Sequence, residues 1–426
     1  MRFLLRALYA VAARMASVAA AVVPPSASKA VIAVRARRGI RGRYTSWAAQ
    51  HRDASRPLLW MHAPSVGEGL QARPVLTLLR SRRPDVQLAY TFFSPSAEEF
   101  SRTLDVDFRD YLPFDVAADM GSALDALQPR ALVFSKLDVW PELVRQATRR
   151  AVKVGMVSAT LGPMSGRRSR VGNLLLRDAY ALLDAVGAVD QDDADRLVEL
   201  GVRPESIEVT GDTRFDQVWQ RAESVDGQSR LQTQLASDRA TIVAGSTWPS
   251  DEAPLLDGFL RARTQIPELR IIIAPHELSA DHLRAIEHWA SAHQLSLAHV
   301  DEATDAADVV LVDRFGVLGE LYAHAHVAFV GGGFHDAGLH SVLEPAAFGA
   351  PVFFGPKHKK SRDAVMLIGA GAGRAVTSAS DIERQLLEWF RQPAARREMG
   401  AKARAAVERR RGAADRSLKL VETLLA

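Results

Sequence analysis

The chain has 426 residues, more than one ordinary domain, so two domains are expected. It contains no cysteine, which excludes disulfides and thiolate metal sites and fits a reducing compartment. The net charge of +4 is unevenly spread. Nine of the 54 Lys and Arg lie in residues 1–43, which carry no Asp or Glu, leaving 45 basic against 50 acidic residues beyond. The mildly acidic body argues against nucleic acid as a partner, and the basic arm points to anionic lipid or to targeting.

The arm comes first. Phe3 to Val23 is long enough to span a bilayer. Arg14 near its middle costs roughly 2.5–3.5 kcal/mol on insertion scales, and many of its neighbours are only Ala. An in-plane helix or a weak anchor suits it better than a span. The small residues of "VAAAVV" before Pro24 leave a cleavable signal peptide as a rival, and an inert extension as a third reading. The basic run Arg35 to Arg43 suits head groups on a cytoplasmic leaflet.

After the arm, apolar runs alternate with helical stretches. Strands are expected at 58–63, 86–93, 131–136, 152–159, 185–190 and 207–211. A second set follows at 240–247, 269–277, 309–313, 327–333 and 351–356. Continuous apolar runs imply strands covered on both faces, hence open parallel sheets. The reading is an α/β chain of two Rossmann-like domains facing a cleft. The arm is 1–43, the first domain 44–216, a polar linker 217–238 and the second domain 239–405. A last helical segment, 406–426, could pack back on the first domain.

Open α/β sheets bind ligands beyond the carboxyl ends of their strands. In the first domain Glu68 follows strand 58–63 in "HAPSVGEG" and opens a helix. As a bland feature, Ser65 or Glu68 complements the helix dipole. As a functional one, Glu68 is a general base. Asp138 ends strand 131–136 in "SKLDVWPEL", where an aspartate is often just a cap. Arg214 in "GDTRFD" could hold phosphate through paired hydrogen bonds, or simply pair with Asp212 or Asp216.

The second domain is richer. "GGGFHDAGLHSVLEPAAFGAPVFFGP" (331–356) sets glycines after a strand and then opens a helix near His340 and Ser341. Gly332 and Gly333 would let backbone approach a phosphate, with the helix N-terminus attracting the anion. A tight turn alone is the plainer account. Glu344 could accept from a ribose diol. Lys357, in "GPKHKK", adds positive charge. His276 in "APHE" could touch phosphate or ribose, and Phe315 with Gly316 could line a base pocket. His335, Asp336 and His340 look metal-like, but their spacing is not that of HExxH, and no metal and no cofactor is expected.

The set "HAPSVGEGLQARP", "FFSPSAEEF", "YLPFD", "LDVWPEL", "GDTRFDQV", "AGSTWPSDE", "APHE" and "VGGGFHDAGLHSVLEPAAFGAPVFFGP" closely resembles the 3-deoxy-D-manno-octulosonic acid (Kdo) transferases of lipopolysaccharide synthesis. The motifs run in the family's order from about Trp47 to the C-terminus. The resemblance implies a GT-B glycosyltransferase with its nucleotide sugar, CMP-Kdo, on the C-terminal domain. Its acceptor, a lipid A precursor, would lie on the N-terminal domain. It also implies an anchor at the cytoplasmic face of the inner membrane, among anionic lipids. It puts the base on Glu68 and transition-state helpers on Asp138 and Arg214. Nucleotide contacts fall on Pro275, His276, Phe315, Gly316, Val317, Ser341, Val342, Leu343 and Glu344. The chain departs from the pattern at Asp138 (often Glu), Arg214 (often Lys), Ser341 (often Asn) and the residue after Pro275 (often Arg). Rivals are a membrane transferase using a UDP-sugar, a sugar-nucleotide epimerase of the same fold, and a silent lipid-binding member.

Overall fold

The apolar runs form strands. The first seven are β1 (Leu58–His62), β2 (Gln87–Phe92), β3 (Phe108–Tyr111), β4 (Ala131–Ser135), β5 (Lys153–Ala159), β6 (Ala185–Ala188) and β7 (Ile207–Val209). The second seven are β8 (Thr241–Thr247), β9 (Arg270–Pro275), β10 (Leu297–His299), β11 (Val309–Leu311), β12 (Val327–Val330), β13 (Val352–Phe354) and β14 (Gly373–Ala375). The structure is a computed structural model that describes residues 2–24 and 28–426, without the side chains of 2–7 and 19–22. The stretch behind the signal-peptide reading therefore lies largely outside the described side chains.

Each set makes its own parallel sheet, in the orders β3-β2-β1-β4-β5-β6-β7 and β10-β11-β9-β8-β12-β13-β14. In the first the chain winds outward from β1 to β3 and returns to β4 on the other side of β1; in the second it runs from β8 through β9 to the edge strand β10, sets β11 between them, and returns to β12 on the other side of β8. The direction reverses between β1 and β4 in one sheet and between β8 and β12 in the other. Such reversal points open a crevice at the strands' carboxyl ends. Helices cover both faces. In the second sheet Ile271 and Ile273 face one core while Ile272 faces the other.

The chain divides into two compact units, 1–217 with 411–426, and 218–410. The polar stretch 217–238 is helical over much of its length, in Arg214–Glu223 and Arg230–Leu235. The last helix, Ala413–Leu425, belongs to the first unit. Asp216 accepts from Gly412 N (2.6 Å) and Ala414 N (2.9 Å) at its start. Its Leu418, Val421 and Leu424 are buried, each about 1.5–3 kcal/mol better than exposed. Gly155 on β5 admits it, since a Cβ there would sit 2.4 Å from Leu424 Cδ1.

Several arginines of the basic run make contacts within the first unit. Arg37 is 3% exposed. Its guanidinium donates to Leu112 O (2.7 Å) and Ala33 O (2.5 Å) and lies over the Phe93 ring. Burial pushes its pKa down to about 10, so it stays charged. Arg41 pairs with Asp119 and Arg43 with Asp110 (2.7 Å). Arg37→Ala is expected to lower the unfolding free energy by about 2–4 kcal/mol, because two buried carbonyls lose their donor. Urea unfolding followed by fluorescence measures it. Among the described residues no helix is long and apolar enough to cross a membrane.

Candidate functional site

At the reversal point of the first sheet, β1 leads into the helix Val66–Arg82, with Glu68 in its first turn. Ser65 sits at the cap position, yet its side chain caps no backbone N–H. Its hydroxyl donates to Glu68 Oε2 instead. Lys136 Nζ lies 3.2 Å from Oε1, and Ser135 Oγ donates to the Glu68 carbonyl (2.8 Å). Lys136 adopts φ +70, rare for a residue with a side chain, immediately after β4. The carboxylate is thus fixed from two sides by the end of the neighbouring strand and by its own turn. Gly69 must be glycine, because a Cβ would lie 2.4 Å from the Phe100 ring and 2.7 Å from Tyr90 Oη.

Asp138 follows in the same loop. His62, fully buried at the end of β1, places Nε2 3.8 Å from Asp138 Oδ2, and Arg167 lies 3.3 Å from Oδ1. Burial works to raise the Asp138 carboxyl. The hydrogen bond and charge of His62, joined by Arg167 and Trp140, outweigh it and hold the group below the usual range. Trp140 Nε1 lies 3.3 Å from the same His62 Nε2, and Thr91 Oγ1 lies 3.0 Å from Nδ1. Sequence reasoning missed both Lys136 and His62. A lone histidine closing an apolar strand was the available signal.

Arg214 is engaged by Asp212. Its Nε and Nη2 donate to Oδ2 at 2.9 and 2.7 Å, and its backbone N to Oδ1 at 2.9 Å. Gln71 Nε2, one turn beyond Glu68, reaches Asp212 Oδ1 at 3.4 Å. Glu68, Asp138 and Arg214 therefore share one end of the first sheet, with the guanidinium oriented by a fork from a buried carboxylate.

At the reversal point of the second sheet, β8 leads through Trp248 into the helix Pro249–Arg263. Asp251, in its first turn and fully buried, is an organiser the sequence reading overlooked. Its Oδ2 accepts from Trp248 N (3.0 Å) and Gly332 N (2.7 Å), and its Oδ1 from Phe334 N (2.8 Å). The Gly332 N–H is therefore committed to Asp251 and is not offered to an anion. The glycines answer to close backbone neighbours instead. A Cβ on Gly332 (φ +88) would lie 2.1 Å from Gly338 O, and one on Gly333 2.4 Å from Gly355 N.

The helix expected to open near Ser341 is only Leu343–Ala347, five residues long, so its end is a weak attraction for an anion. Val342 and Leu343 are fully buried core residues, and Pro275 closes β9 inside. Ser341 is exposed. Glu344 faces Arg221 Nη1 at 3.4 Å, while Arg221 Nη2 donates to Gly316 O (3.1 Å). Burial raises the Glu344 carboxyl, and Arg221 opposes the rise. Arg221 lay unnoticed in the polar stretch. Phe315 is 73% exposed at the carboxyl end of β11, beside buried Val317. Lys357 Nζ pairs with Asp336 at 2.6 Å on the surface.

His276, His335 and His340 gather on Trp248 rather than around a common point with Asp336. The Trp248 ring stacks on His335 at 4.2 Å and meets His276 at 4.6 Å, and its Nε1 donates to His340 Nε2 (3.2 Å). Burial, then the neighbouring His276, pushes the His340 pKa down to about 4. The unfolded chain therefore binds this proton more readily, and stability falls as pH drops from about 6.5 to about 4. His340→Gln keeps an acceptor for Trp248 and is expected to make that fall shallower in melting curves. Part of the slope remains, because His324 and His326 are lowered by burial too.

Comparison with known proteins gives the chain's family. The model of the 3-deoxy-D-manno-octulosonic-acid transferase (kdotransferase) family matches residues 36–217. The chain is 30% identical over 378 residues to the 3-deoxy-D-manno-octulosonic acid transferase of Bordetella pertussis, covering 86% of this chain and 87% of that one. The enzyme of the same name from Haemophilus influenzae is 26% identical over 373 residues, with the same coverage. The UDP-GlcNAc 2-epimerase of Neisseria meningitidis superposes with a TM-score of 0.63 at 15% identity, over 87% of this chain and 99% of that one. That likeness is one of fold, the two Rossmann-like sheets of the GT-B class. The chain belongs to the Kdo transferase family and is a glycosyltransferase.

Proposed function

We propose that the protein transfers Kdo from CMP-Kdo to a lipid A precursor (lipid IVA) at the cytoplasmic face of the inner membrane, without metal or cofactor. Glu68 takes the proton of the acceptor hydroxyl. That oxygen attacks the anomeric carbon, the bond from this carbon to the CMP phosphate oxygen breaks, and CMP leaves with the electron pair. One displacement inverts the centre. The observation that carries the reading is Glu68 itself, a first-turn carboxylate at a sheet reversal point, fixed by Ser65 and Lys136. A carboxylate so placed suits general-base work.

Asp138, kept ionised by His62 and Arg167, and Arg214, held by Asp212, supply fixed charge for the transition state. On the second unit the exposed Phe315 ring offers a face to the base, Glu344 an acceptor for the ribose diol, and His276 a contact for phosphate or ribose. Lys357 would meet the phosphate by exchanging Asp336. A surface pair of this kind is worth about 0–1 kcal/mol, so the exchange costs little.

The test is product mass after incubating the full chain with CMP-Kdo and tetraacyl lipid A precursor, beside a UDP-sugar control. A lipid heavier by one or more Kdo units, formed only from CMP-Kdo, supports the reading. Binding of CMP with no heavier lipid would sink the acceptor assignment, and transfer from the UDP-sugar would sink the donor assignment.

A further inference from the structure

Two residues that the sequence sets far apart, Gly316 and Glu344, share one cation. Arg221 lies in the last turn of the helix Arg214–Glu223. It sends Nη1 to Glu344 Oε1 (3.4 Å) and Nη2 to Gly316 O (3.1 Å). Its seat is Gly319, a buried residue just after Gly316. A Cβ there would lie 2.2 Å from Arg221 Cζ and 2.3 Å from Nε, so the guanidinium lies where a side chain would stand. Gly319 sits in the helical turn Leu318–Leu321 without a positive φ, so the requirement is for space rather than for conformation.

Glu344 is the group this cation serves. Burial works against its charge, and Arg221 works for it. Tyr322 faces it too. Its phenol is pushed up by burial and by the Glu344 carboxylate, so it stays neutral. Among the described residues Arg221 is thus the cation that acts on Glu344. The pair engages Oε1, while no described residue donates to Oε2 of this partly exposed side chain. Oε2 keeps its acceptor capacity for a ligand.

We infer that Arg221, seated on Gly319, makes the nucleotide site selective for ribose over deoxyribose. It holds Glu344 as a charged acceptor whose Oε2 takes the donor's ribose 2′-hydroxyl. Through Gly316 O it ties the loop that bears Phe315 to the same carboxylate. The inference rests on the reading of Glu344 as the ribose contact. Arg221 is a positioning residue, because its effect runs through Glu344 and the loop. A site built to bond a hydroxyl discriminates strongly against a ligand that lacks it, since the site's own polar group is then left unpaired.

Calorimetry on the full chain with CMP and with 2′-deoxy-CMP reads the selectivity without any transfer reaction. The wild type is expected to bind 2′-deoxy-CMP about 10–100-fold more weakly than CMP. Equal binding would sink the ribose reading of Glu344 itself. Arg221→Met should weaken CMP binding and lose most of that ratio. Its CMP affinity should also fall more steeply than that of the wild type from about pH 8 to about pH 6. Without the cation burial acts on Glu344 unopposed, and the carboxyl takes up a proton at higher pH. If both nucleotides weakened alike and the ratio held, Arg221 would be a brace of the loop, and the inference would fall while the ribose reading stood. Arg221→Lys keeps a cation and should recover most of the ratio; no recovery would remove the role of the charge. Gly319→Ala keeps every charged group, and alanine suits a helical turn. Its Cβ displaces the guanidinium, so it should lose the ratio as Arg221→Met does. A wild-type ratio in Gly319→Ala would overturn the seat.

Discussion

Glu68→Gln is expected to lower kcat for transfer about 10²–10⁴-fold while the chain melts close to the wild-type temperature. Gln keeps the size and can still accept from Ser65 Oγ, so the turn survives. What disappears is the charge and the ability to take a proton. The competing account makes Glu68 a dipole partner of the helix, worth about 0.3–1 kcal/mol of stability and nothing in turnover. The two accounts diverge in the ratio of effects. A loss in kcat without a matching loss in melting temperature belongs to a base, and a small shift in melting with kcat intact belongs to a cap. Ser65 already argues against a plain cap, since its hydroxyl turns to the carboxylate. Lys136 should matter in the same experiment. Its pair with Glu68 is 40% exposed on the lysine side, so Lys136→Met is expected to leave stability almost unchanged. Any fall in kcat then reports the orientation of the carboxylate.

The central strands were legible because strands buried on both faces spell out apolar runs, as in "ALVFS" and "RIIIAP". Those not anticipated, Phe108–Tyr111, Leu297–His299 and Gly373–Ala375, all lie at sheet edges. An edge strand has one neighbour, so Arg109 and Asp110 sit within β3 and break the run. The charge count of the arm did not show what its arginines touch. Composition cannot tell that Arg41 and Arg43 find Asp119 and Asp110 some 70 residues later. Arg221 was hidden for the same reason. It sits in a polar stretch, and only the fold brings it to Gly316 and Glu344. Motifs at strand ends marked where Glu68, Asp138 and Arg214 gather. They could not show that Asp212 already holds Arg214, or that the glycines answer to backbone neighbours.

Asp251→Asn tests that last point. Read as a helix cap, "STWPSDE" is ordinary, and an amide at this position would be tolerated within about 1 kcal/mol. The structure predicts otherwise. The carboxylate accepts three backbone N–H groups, from Trp248, Gly332 and Phe334, and all of its surface is buried. An amide has one acceptor oxygen. Whichever way it is turned, its NH₂ faces at least one N–H that needs an acceptor. Leaving a buried donor unmade costs about 1–3 kcal/mol, and donor facing donor is worse. Asp251→Asn should therefore be nearly as damaging as Asp251→Ala, with each lowering the unfolding free energy by about 3–5 kcal/mol. The loss should fall on the second unit. Gly332 and Phe334 belong to the loop between β12 and the Glu344 helix, so CMP binding by calorimetry should weaken in step with stability. Arg37→Ala, which acts in the first unit, should leave CMP binding alone. If Asp251→Asn proved as stable as wild type, the loop would be held by its glycine packing, and Asp251 would be only a cap.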